Sequence, residues 1–258
     1  MSLGLEREIE EYDAMFRYDA KVFKEMVDGV SKILDEAVFV ITGDGVKMIG
    51  MDPAKLALIE LELPSEAFID FDFKGEGRVE MGVNLDTLKN IVKRGKKGEH
   101  LEVRVTTEKV FFKIESSVVK RYLLPNLEII LDVPERIELG FDVTASVLSD
   151  VVKKVLKDIE LVGDIAVFEA DEESLVIRGG EGRSRVEARL TRDSPALYFL
   201  EVRNPASSRY DVGYLKKVLN LAKIAESVEI KFSSDKPLEL VFKAPDGSKV
   251  RYLLAPSA

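Results

Sequence analysis

Short stretches in which every second residue is apolar recur along this chain. From 57 to 63 the apolar residues Ala57, Ile59, Leu61 and Leu63 have residues such as Glu60 between them. From 186 to 190 the apolar residues again alternate with charged ones. Period-two runs between turn signals predict antiparallel β-sheet with one buried face.

Two other segments have apolar residues at helical spacing, and each predicts an amphipathic helix. Each helix follows a strand-like stretch and precedes two strands around a turn. The turn after the first helix is Gly43-Asp44-Gly45, whose Asp-Gly pair favours a tight hairpin. The apolar positions are Val22, Phe23, Met26, Val30, Ile33 and Leu34 in the first segment, and Val147, Val151, Val152, Val155, Leu156 and Ile159 in the second.

The chain is an internal duplication. The segments 88–125 and 215–256 both read helix, strand, turn, strand, turn, strand, and both end in Arg-Tyr-Leu-Leu, at 121–124 and at 251–254. Repeats define the architecture before any single element does. We therefore predict an α+β fold of two similar domains, each with two helices on antiparallel sheets. The expected divisions are an N-terminal extension (1–14), a first domain (15–124), a connecting linker (125–137) and a second domain (138–258).

The linker has prolines at 125 and 134, which disfavour helix. Its sequence between them is rich in Leu and Ile, whereas exposed linkers are normally polar. Two interpretations stay open, namely an edge strand packed on its own domain and a docking surface for partners.

Composition limits the chemistry. The chain has no cysteine and one histidine, which excludes disulfides, thiol nucleophiles and multi-histidine metal sites within one chain. Neither the acidic turn 171–173 nor the glycine-rich stretch 178–183 has the residues of a catalytic or phosphate-binding motif. We expect no cofactor, no metal and no enzyme activity. With neither a signal peptide nor a long apolar run, we expect an intracellular protein without a membrane partner.

The net charge of −9 argues against a simple nucleic-acid binder, which should be basic. Binding depends on where the charges lie as well as on their sum. An acidic outer surface combined with a basic inner one is compatible with this balance.

Several motifs resemble the proliferating cell nuclear antigen (PCNA) family of DNA clamps. They are Met15-Phe16, Met51-Asp52 followed by Leu56-Ala57-Leu58, the stretch Met81-Gly82-Val83-Asn84-Leu85, and the ending Tyr252-Leu253-Leu254-Ala255-Pro256. The resemblance extends from Met15 to Pro256. It implies a non-catalytic processivity factor for DNA replication and repair, in which three two-domain subunits close into a ring with helices lining the hole.

The resemblance also implies a DNA-facing set of cations on those helices. Holding duplex DNA without reading its sequence requires Lys and Arg near phosphate. Lys89 and Lys93 are four residues apart and share a helix face. The candidates are Lys24, Lys89, Lys93, Arg94, Lys153, Lys154, Lys157, Lys216 and Lys217.

Partners of this family carry a short motif with a glutamine, an aliphatic residue and paired aromatics. The motif fills an apolar pocket of the clamp beside the linker. The expected partners are DNA polymerase, the clamp loader, flap endonuclease and DNA ligase. The matching pocket residues are Met51, Leu56, Leu58, Leu131, Val133, Pro134, Pro237, Leu253 and Ala255.

Subunit contacts in the family join edge strands across the boundary. We expect the edges at 110–115 and 185–190, because unpaired edges need a partner. The interface candidates are Val110, Phe112, Ile114, Arg185, Val186 and Ala188.

The sequence leaves open the composition of the ring, the class of function and the location of the protein. The ring is either a homotrimer or a heterotrimer with paralogous clamp subunits, and a subunit of a damage-signalling ring is a related alternative. An alternative from a different class of function is an enzyme with an unrecognised carboxylate site. The location is cytoplasmic for an archaeal source and nuclear for a eukaryotic one.

Overall fold

The computed structural model describes residue 4, residues 10–130 and residues 139–257. Their contacts form two units. The first lies within Met1–Gly50, Glu60–Val133 and Asp246–Lys249, and the second within Met51–Ile59, Pro134–Pro245 and Val250–Ala258. The predicted boundaries of the domains and the linker stay predictions.

The two halves of the chain contain the same succession of elements. The first half has β1 (Ala14–Asp19), α1 (Ala20–Val30), β2 (Glu36–Thr42), β3 (Gly45–Met51), β4 (Ala57–Pro64), β5 (Asp70–Phe73), β6 (Val79–Asn84), α2 (Leu85–Val92), β7 (His100–Val105), β8 (Lys109–Glu115) and β9 (Lys120–Pro125). The second half has β10 (Val143–Leu148), α3 (Ser149–Glu160), β11 (Ile165–Ala170), β12 (Ser174–Glu181), β13 (Ser184–Thr191), β14 (Leu197–Val202), β15 (Ala206–Asp211), α4 (Val212–Lys217), β16 (Ser227–Phe232), β17 (Leu238–Lys243) and β18 (Lys249–Leu254). Short 3₁₀ turns follow β4 and α4.

Strand order repeats as well. In the first half the sheets run β5-β1-β7-β8-β9 and β4-β3-β2-β6. In the second half the corresponding orders are β14-β10-β16-β17-β18 and β13-β12-β11-β15. Each strand has its counterpart at the same place, so the predicted α+β duplication with antiparallel sheets is confirmed.

Helix α1 begins where Asp19 caps it. The Asp19 carboxylate accepts hydrogen bonds from the backbone N–H groups of Lys21 and Val22 at 2.8 and 2.9 Å. The apolar face, which includes Phe23 and Met26, is buried. The helix ends at Val30, so the Ile33 and Leu34 that we placed on it lie in the following turn.

Helix α3 buries the corresponding face. Val152, Val155, Leu156 and Ile159 are buried on it, as the apolar spacing predicts. Val147, which we assigned to the same helix, lies in β10 instead.

The shorter helices begin at side chains that accept a backbone hydrogen bond from the first turn. Asn84 accepts from the N–H of Thr87 at 3.0 Å before α2, and Asp211 accepts from that of Tyr214 at 2.9 Å before α4. These caps orient the two helices on which we predicted DNA-facing lysines.

The chain that leaves β9 is fixed against β6 by Asn126. Its side-chain oxygen accepts from the Gly82 N–H at 2.8 Å, and its amide nitrogen donates to the carbonyls of Glu80 at 2.8 Å and Thr106 at 2.9 Å. A Cβ at position 82 would lie 1.9 Å from the carbonyl oxygen of Leu127. Glycine is therefore required there for the two segments to approach.

We predict that Asn126→Ala lowers the free energy of unfolding by about 2 kcal/mol, because three hydrogen bonds are lost from a half-buried side chain. Chemical denaturation followed by circular dichroism measures this change. Asn204→Ala is the matched control, since exposed Asn204 makes a side-chain hydrogen bond to Asp142. Equal effects of the two substitutions would show that Asn126 does not fix this segment.

Candidate DNA-facing helices, docking surface and edge strands

The predicted cations of α1 and α2 are partly neutralised. The Nζ of Lys89 lies 3.1 Å from a carboxylate oxygen of Asp28, and the other oxygen binds Lys32 at 2.7 Å. Burial would raise the pKa of Asp28, but the hydrogen bonds from Lys32 and Lys89 hold this pKa below its ordinary value. Lys24 lies 3.7 Å from buried Glu25. Lys89 thus connects α2 to α1.

Lys93 and Arg94 follow the last residue of α2, and both are exposed. The Nζ of Lys93 donates to the side-chain oxygen of Asn90 at 2.9 Å, which is a neutral partner. Both positive charges are therefore available to an anion.

Helix α3 presents three lysines with a different environment. Lys154 and Lys157 are exposed, and Lys153 is half-buried. Within residues 10–130 and 139–257, no ion pair involves any of the three. They lie away from the buried apolar face of the helix. This group is the largest cluster of uncompensated cations among those we predicted.

The two predicted lysines of α4 differ from each other. Lys216 forms an ion pair with Glu160, the last residue of α3. Lys217 lies with its Nζ 4.0 Å from the centre of the Tyr214 ring, a cation–π contact that leaves its charge unneutralised. Counted from the helix start, Lys216 is the counterpart of Lys89. Both connect the paired helices of their own half.

The turn before Leu56 is organised by a buried carboxylate that sequence reasoning missed. One oxygen of Asp52 accepts from the N–H groups of Leu56 at 2.8 Å and Ala57 at 2.7 Å. The other accepts from the N–H of Ala54 at 3.3 Å and from the hydroxyl of Tyr214 at 3.0 Å. The signal was present, because Asp before Pro53 is a frequent start for such a turn.

These contacts determine how Asp52 titrates. Burial would raise the pKa of Asp52, but the hydrogen bonds from the Ala57 N–H and the Tyr214 hydroxyl outweigh it and lower this pKa. The pKa of Tyr214 is raised, since its hydroxyl donates to that carboxylate. Asp52 is therefore ionised at neutral pH and holds the turn in one conformation.

The predicted docking residues fall into three groups. Leu56 is 44% exposed, and its carbonyl accepts from the Ala255 N–H at 2.8 Å. Met51, Pro237 and Ala255 are half-buried. Leu58 and Leu253 are buried at 3% and 4% exposure, so these two pack in the core, and their part in a docking pocket stays a prediction. The others, Leu131, Val133 and Pro134, lie outside the described residues.

The first predicted edge strand is wrong. Val110, Phe112 and Ile114 lie in β8, which pairs with β7 on one side and β9 on the other. Their side chains are buried. Both sides of β8 are already hydrogen-bonded, and the strands that end this sheet are β5 and β9.

The second predicted edge is at the end of its sheet. Arg185, Val186 and Ala188 lie in β13, which pairs with β12 and ends the four-stranded sheet. The glycine-rich stretch 178–183 forms the end of β12 and the turn into β13. The role of this edge in a subunit contact stays a prediction.

In the described ranges, no cluster of three or more His, Asp or Glu side chains is arranged to hold a metal ion. No helix there is long and apolar enough to cross a membrane.

Comparisons with known proteins match both halves of this chain and nearly its whole length. The family model described as the N-terminal domain of proliferating cell nuclear antigen matches residues 12–131, and the model of its C-terminal domain matches residues 136–257. The "DNA polymerase sliding clamp 1" of Aeropyrum pernix is 64% identical over 245 residues, covering 94% of this chain and 99% of that one. The sliding clamp of Pyrococcus abyssi is 33% identical over 241 residues, covering 92% and 95%.

Solved structures show the same fold. PCNA from Thermococcus kodakaraensis has a TM-score of 0.87 at 28% identity, covering 95% of this chain and 100% of that one. A complex of two PCNA subunits from Sulfolobus tokodaii also gives a TM-score of 0.87, at 22% identity over 94% and 98%. PCNA proteins are not enzymes, which removes the enzyme reading. The chain belongs to the PCNA family of DNA polymerase sliding clamps, of the archaeal type.

Proposed function

We propose that this chain is a subunit of a ring that encircles duplex DNA and keeps replication and repair enzymes attached to it. The observation that carries this proposal is the 64% identity, over nearly the whole chain, to a DNA polymerase sliding clamp. The exposed cations on α3 and directly after α2 support it physically. Inside an acidic chain, they give one set of helices the charge that phosphate requires.

These exposed cations favour movement along the duplex over tight binding at one position. At physiological salt an exposed charge acts over about 8 to 10 Å. Lysines on helices attract the backbone phosphates without contacting base edges, so the attraction is similar at every position along the duplex. A ring with such a lining stays on the DNA through topology and moves along it with small energetic barriers.

The docking surface serves the partners. We propose that DNA polymerase, the clamp loader, flap endonuclease and DNA ligase each insert a short motif beside Leu56. The supporting observations are the exposure of Leu56 and the fixed turn that Asp52 builds behind it. A rigid apolar anchor site reduces the entropy lost on binding.

Edge strands close the ring. We propose that β9 of one subunit continues the sheet that ends at β13 of the next. Head-to-tail pairing of two different edges generates a closed ring when the rotation per subunit divides the circle, and three two-domain subunits complete it. The Sulfolobus tokodaii complex supports rings that contain more than one kind of clamp subunit.

We predict that the triple substitution Lys153→Glu, Lys154→Glu and Lys157→Glu lowers polymerase stimulation about tenfold, because the uncompensated cations of α3 are reversed. Primer extension by the polymerase after clamp loading measures this. The triple reversal of Arg203, Lys236 and Lys243, all exposed outside the helices, controls for net charge. Unchanged stimulation by the α3 variant would contradict a DNA-facing role for this helix.

We predict a smaller loss for the double substitution Lys89→Gln and Lys216→Gln, since Asp28 and Glu160 already neutralise these lysines. The same primer-extension assay, run beside Lys93→Gln with Arg94→Gln, makes the comparison. A larger loss for the Lys89 and Lys216 pair than for the Lys93 and Arg94 pair would reverse our ranking of the two groups.

For the docking surface, we predict that Leu56→Glu weakens binding of a peptide with the glutamine, aliphatic and paired aromatic motif about tenfold or more, because it places a charge where an apolar anchor packs. Fluorescence anisotropy with a labelled peptide measures the affinity. Ile69→Glu is the matched control, since Ile69 is 48% exposed and Leu56 is 44% exposed. An equal affinity for both variants would locate docking elsewhere.

We also predict that Asp52→Ala weakens the same peptide several-fold, about three- to tenfold, by releasing the turn that presents Leu56. Asp52→Asn retains an oxygen for the Leu56 and Ala57 N–H groups, and it should recover part of the affinity. Hydrogen exchange of residues 54–57 gives an independent readout. If Asp52→Ala kept full affinity for the peptide although hydrogen exchange in this turn became rapid, docking would not depend on an ordered turn.

A further inference from the structure

We propose that Tyr214 on α4 positions the docking turn, residues 52–57, and that Lys217 beside it makes partner docking sensitive to charge on this helix. This role rests on the docking of partner motifs beside Leu56 that we propose above, and it adds two residues of α4 to that function. It follows from a closed network of hydrogen bonds that joins the docking turn, α4 and the end of β18.

The network returns to the residue from which it starts. The Tyr214 hydroxyl donates to the Asp52 carboxylate at 3.0 Å, and the Tyr214 carbonyl accepts from the Tyr252 hydroxyl at 3.2 Å. Tyr252 lies in β18, and Ala255, just after that strand, donates its N–H to the carbonyl of Leu56 at 2.8 Å. The N–H of Leu56 donates to the Asp52 carboxylate at 2.8 Å. Each of the three segments is therefore held by the other two.

The backbone of Tyr214 is anchored at two points. Its N–H donates to the Asp211 carboxylate at 2.9 Å where α4 begins, and its carbonyl binds Tyr252, which is fully buried. The hydroxyl meets one carboxylate oxygen of buried Asp52, which also accepts a longer bond of 3.3 Å from the Ala54 N–H. Loss of the hydroxyl would leave this charged oxygen poorly satisfied, and a buried charge in that condition is costly.

The first half of the chain has different residues at the corresponding positions. Thr87 of α2 and Tyr214 of α4 both donate their N–H to the side chain that caps the helix, so the two are counterparts. The turn that corresponds to residues 52–56 is Gly182-Arg183, between β12 and β13. The longer turn thus occurs together with the tyrosine, as expected when the tyrosine supports that turn.

Lys217 connects this network to charge. Its Nζ lies 4.0 Å from the centre of the Tyr214 ring. A positive charge over a phenol ring attracts electron density, so the hydroxyl becomes a stronger donor to the Asp52 carboxylate. Lys217 is also one of the predicted DNA-facing cations. A phosphate that draws Lys217 from the ring would weaken the bond to Asp52, and neutralising the lysine by substitution has the same effect.

The first test is Tyr214→Phe, which removes the hydroxyl and keeps the ring. We expect the affinity for a labelled peptide with the glutamine, aliphatic and paired aromatic motif to fall about fivefold, as measured by fluorescence anisotropy. Hydrogen exchange of residues 54–57 should become faster. Because the hydroxyl acts through Asp52, Tyr214→Phe should cause no further loss of affinity in the Asp52→Ala variant.

The second test is Lys217→Gln, which removes the charge over the ring. We expect about twofold weaker binding of the same peptide. In the Tyr214→Phe variant, Lys217→Gln should leave the affinity unchanged, because the hydroxyl through which Lys217 acts is absent. A direct attraction between Lys217 and the peptide would persist in that variant.

Tyr12 and Lys74 provide a matched control pair. The Tyr12 hydroxyl donates to the Asp72 carboxylate at 2.9 Å, and the Nζ of Lys74 lies 3.8 Å from the centre of the Tyr12 ring. Tyr12→Phe and Lys74→Gln therefore remove the same kinds of contact elsewhere, and both should leave the affinity for the peptide unchanged. Thermal unfolding verifies that each variant is folded.

Unchanged hydrogen exchange of residues 54–57 in Tyr214→Phe would overturn the positioning role. Faster exchange with unchanged affinity would overturn the link between this residue and docking. An effect of Lys217→Gln that persists in Tyr214→Phe would overturn the coupling through the ring. If the unchanged chain does not bind the peptide, the proposed docking beside Leu56 is contradicted, and hydrogen exchange alone then decides whether Tyr214 positions the turn.

Discussion

A strand at the end of a sheet has backbone N–H and C=O groups without partners, and this constraint determines how the molecule is used. Strand β8 cannot accept a neighbour, because β7 and β9 already occupy both of its sides. Among the strands that end a sheet are β9 and β13, the two that we propose for subunit contact. A protein that leaves such edges open aggregates unless they are covered or made selective. The ring closure that we propose would cover β9 and β13.

Duplication supplied the framework, and charge changes then gave the halves different surfaces. Lys89 and Lys216 occupy equivalent positions and make equivalent contacts to the neighbouring helix. The acid that each one meets differs, since Glu160 lies about one turn farther along its helix than Asp28 does. At the place that Asp28 occupies in α1, α3 has Lys157. At this one position the first half therefore has an acid and the second half has an exposed cation.

The sheets show the same history. Glu102 and Arg104 on β7 pair at 2.6 Å, and so do their counterparts Glu229 and Lys231 on β16. The third charged residue differs between the halves. In the first half Lys113 forms an ion pair with the acid, Glu102, whereas in the second half Glu239 forms one with the base, Lys231. Half-buried charges on a sheet face need partners, but the partner can come from either side of the pair.

Sequence patterns predicted what depends on local periodicity. The strands and helices followed from the spacing of apolar residues. The repeat followed from Arg-Tyr-Leu-Leu at the end of each of the two similar segments. The end of α1 at Val30 was missed, because apolar residues continue at helical spacing beyond it. The edge was assigned to β8, because the alternating residues of a central strand and an edge strand look alike. Nothing local distinguishes Lys89 from Lys93, since the acid that neutralises Lys89 is Asp28 on another helix.

The distribution of charge explains how an acidic protein can act on DNA. In the ring that we propose, repulsion between the net negative charge of the chain and the phosphate backbone disfavours binding except at the helices that carry uncompensated lysines. Lysines that are already paired, such as Lys89 and Lys216, hold the helices in place without adding attraction. Under the proposed function, the attraction comes from the predicted cations without an acidic partner, namely Lys93, Arg94, Lys217 and the three lysines of α3. In the ring that we propose, a few exposed cations would attract the duplex, and their small number would let it pass through.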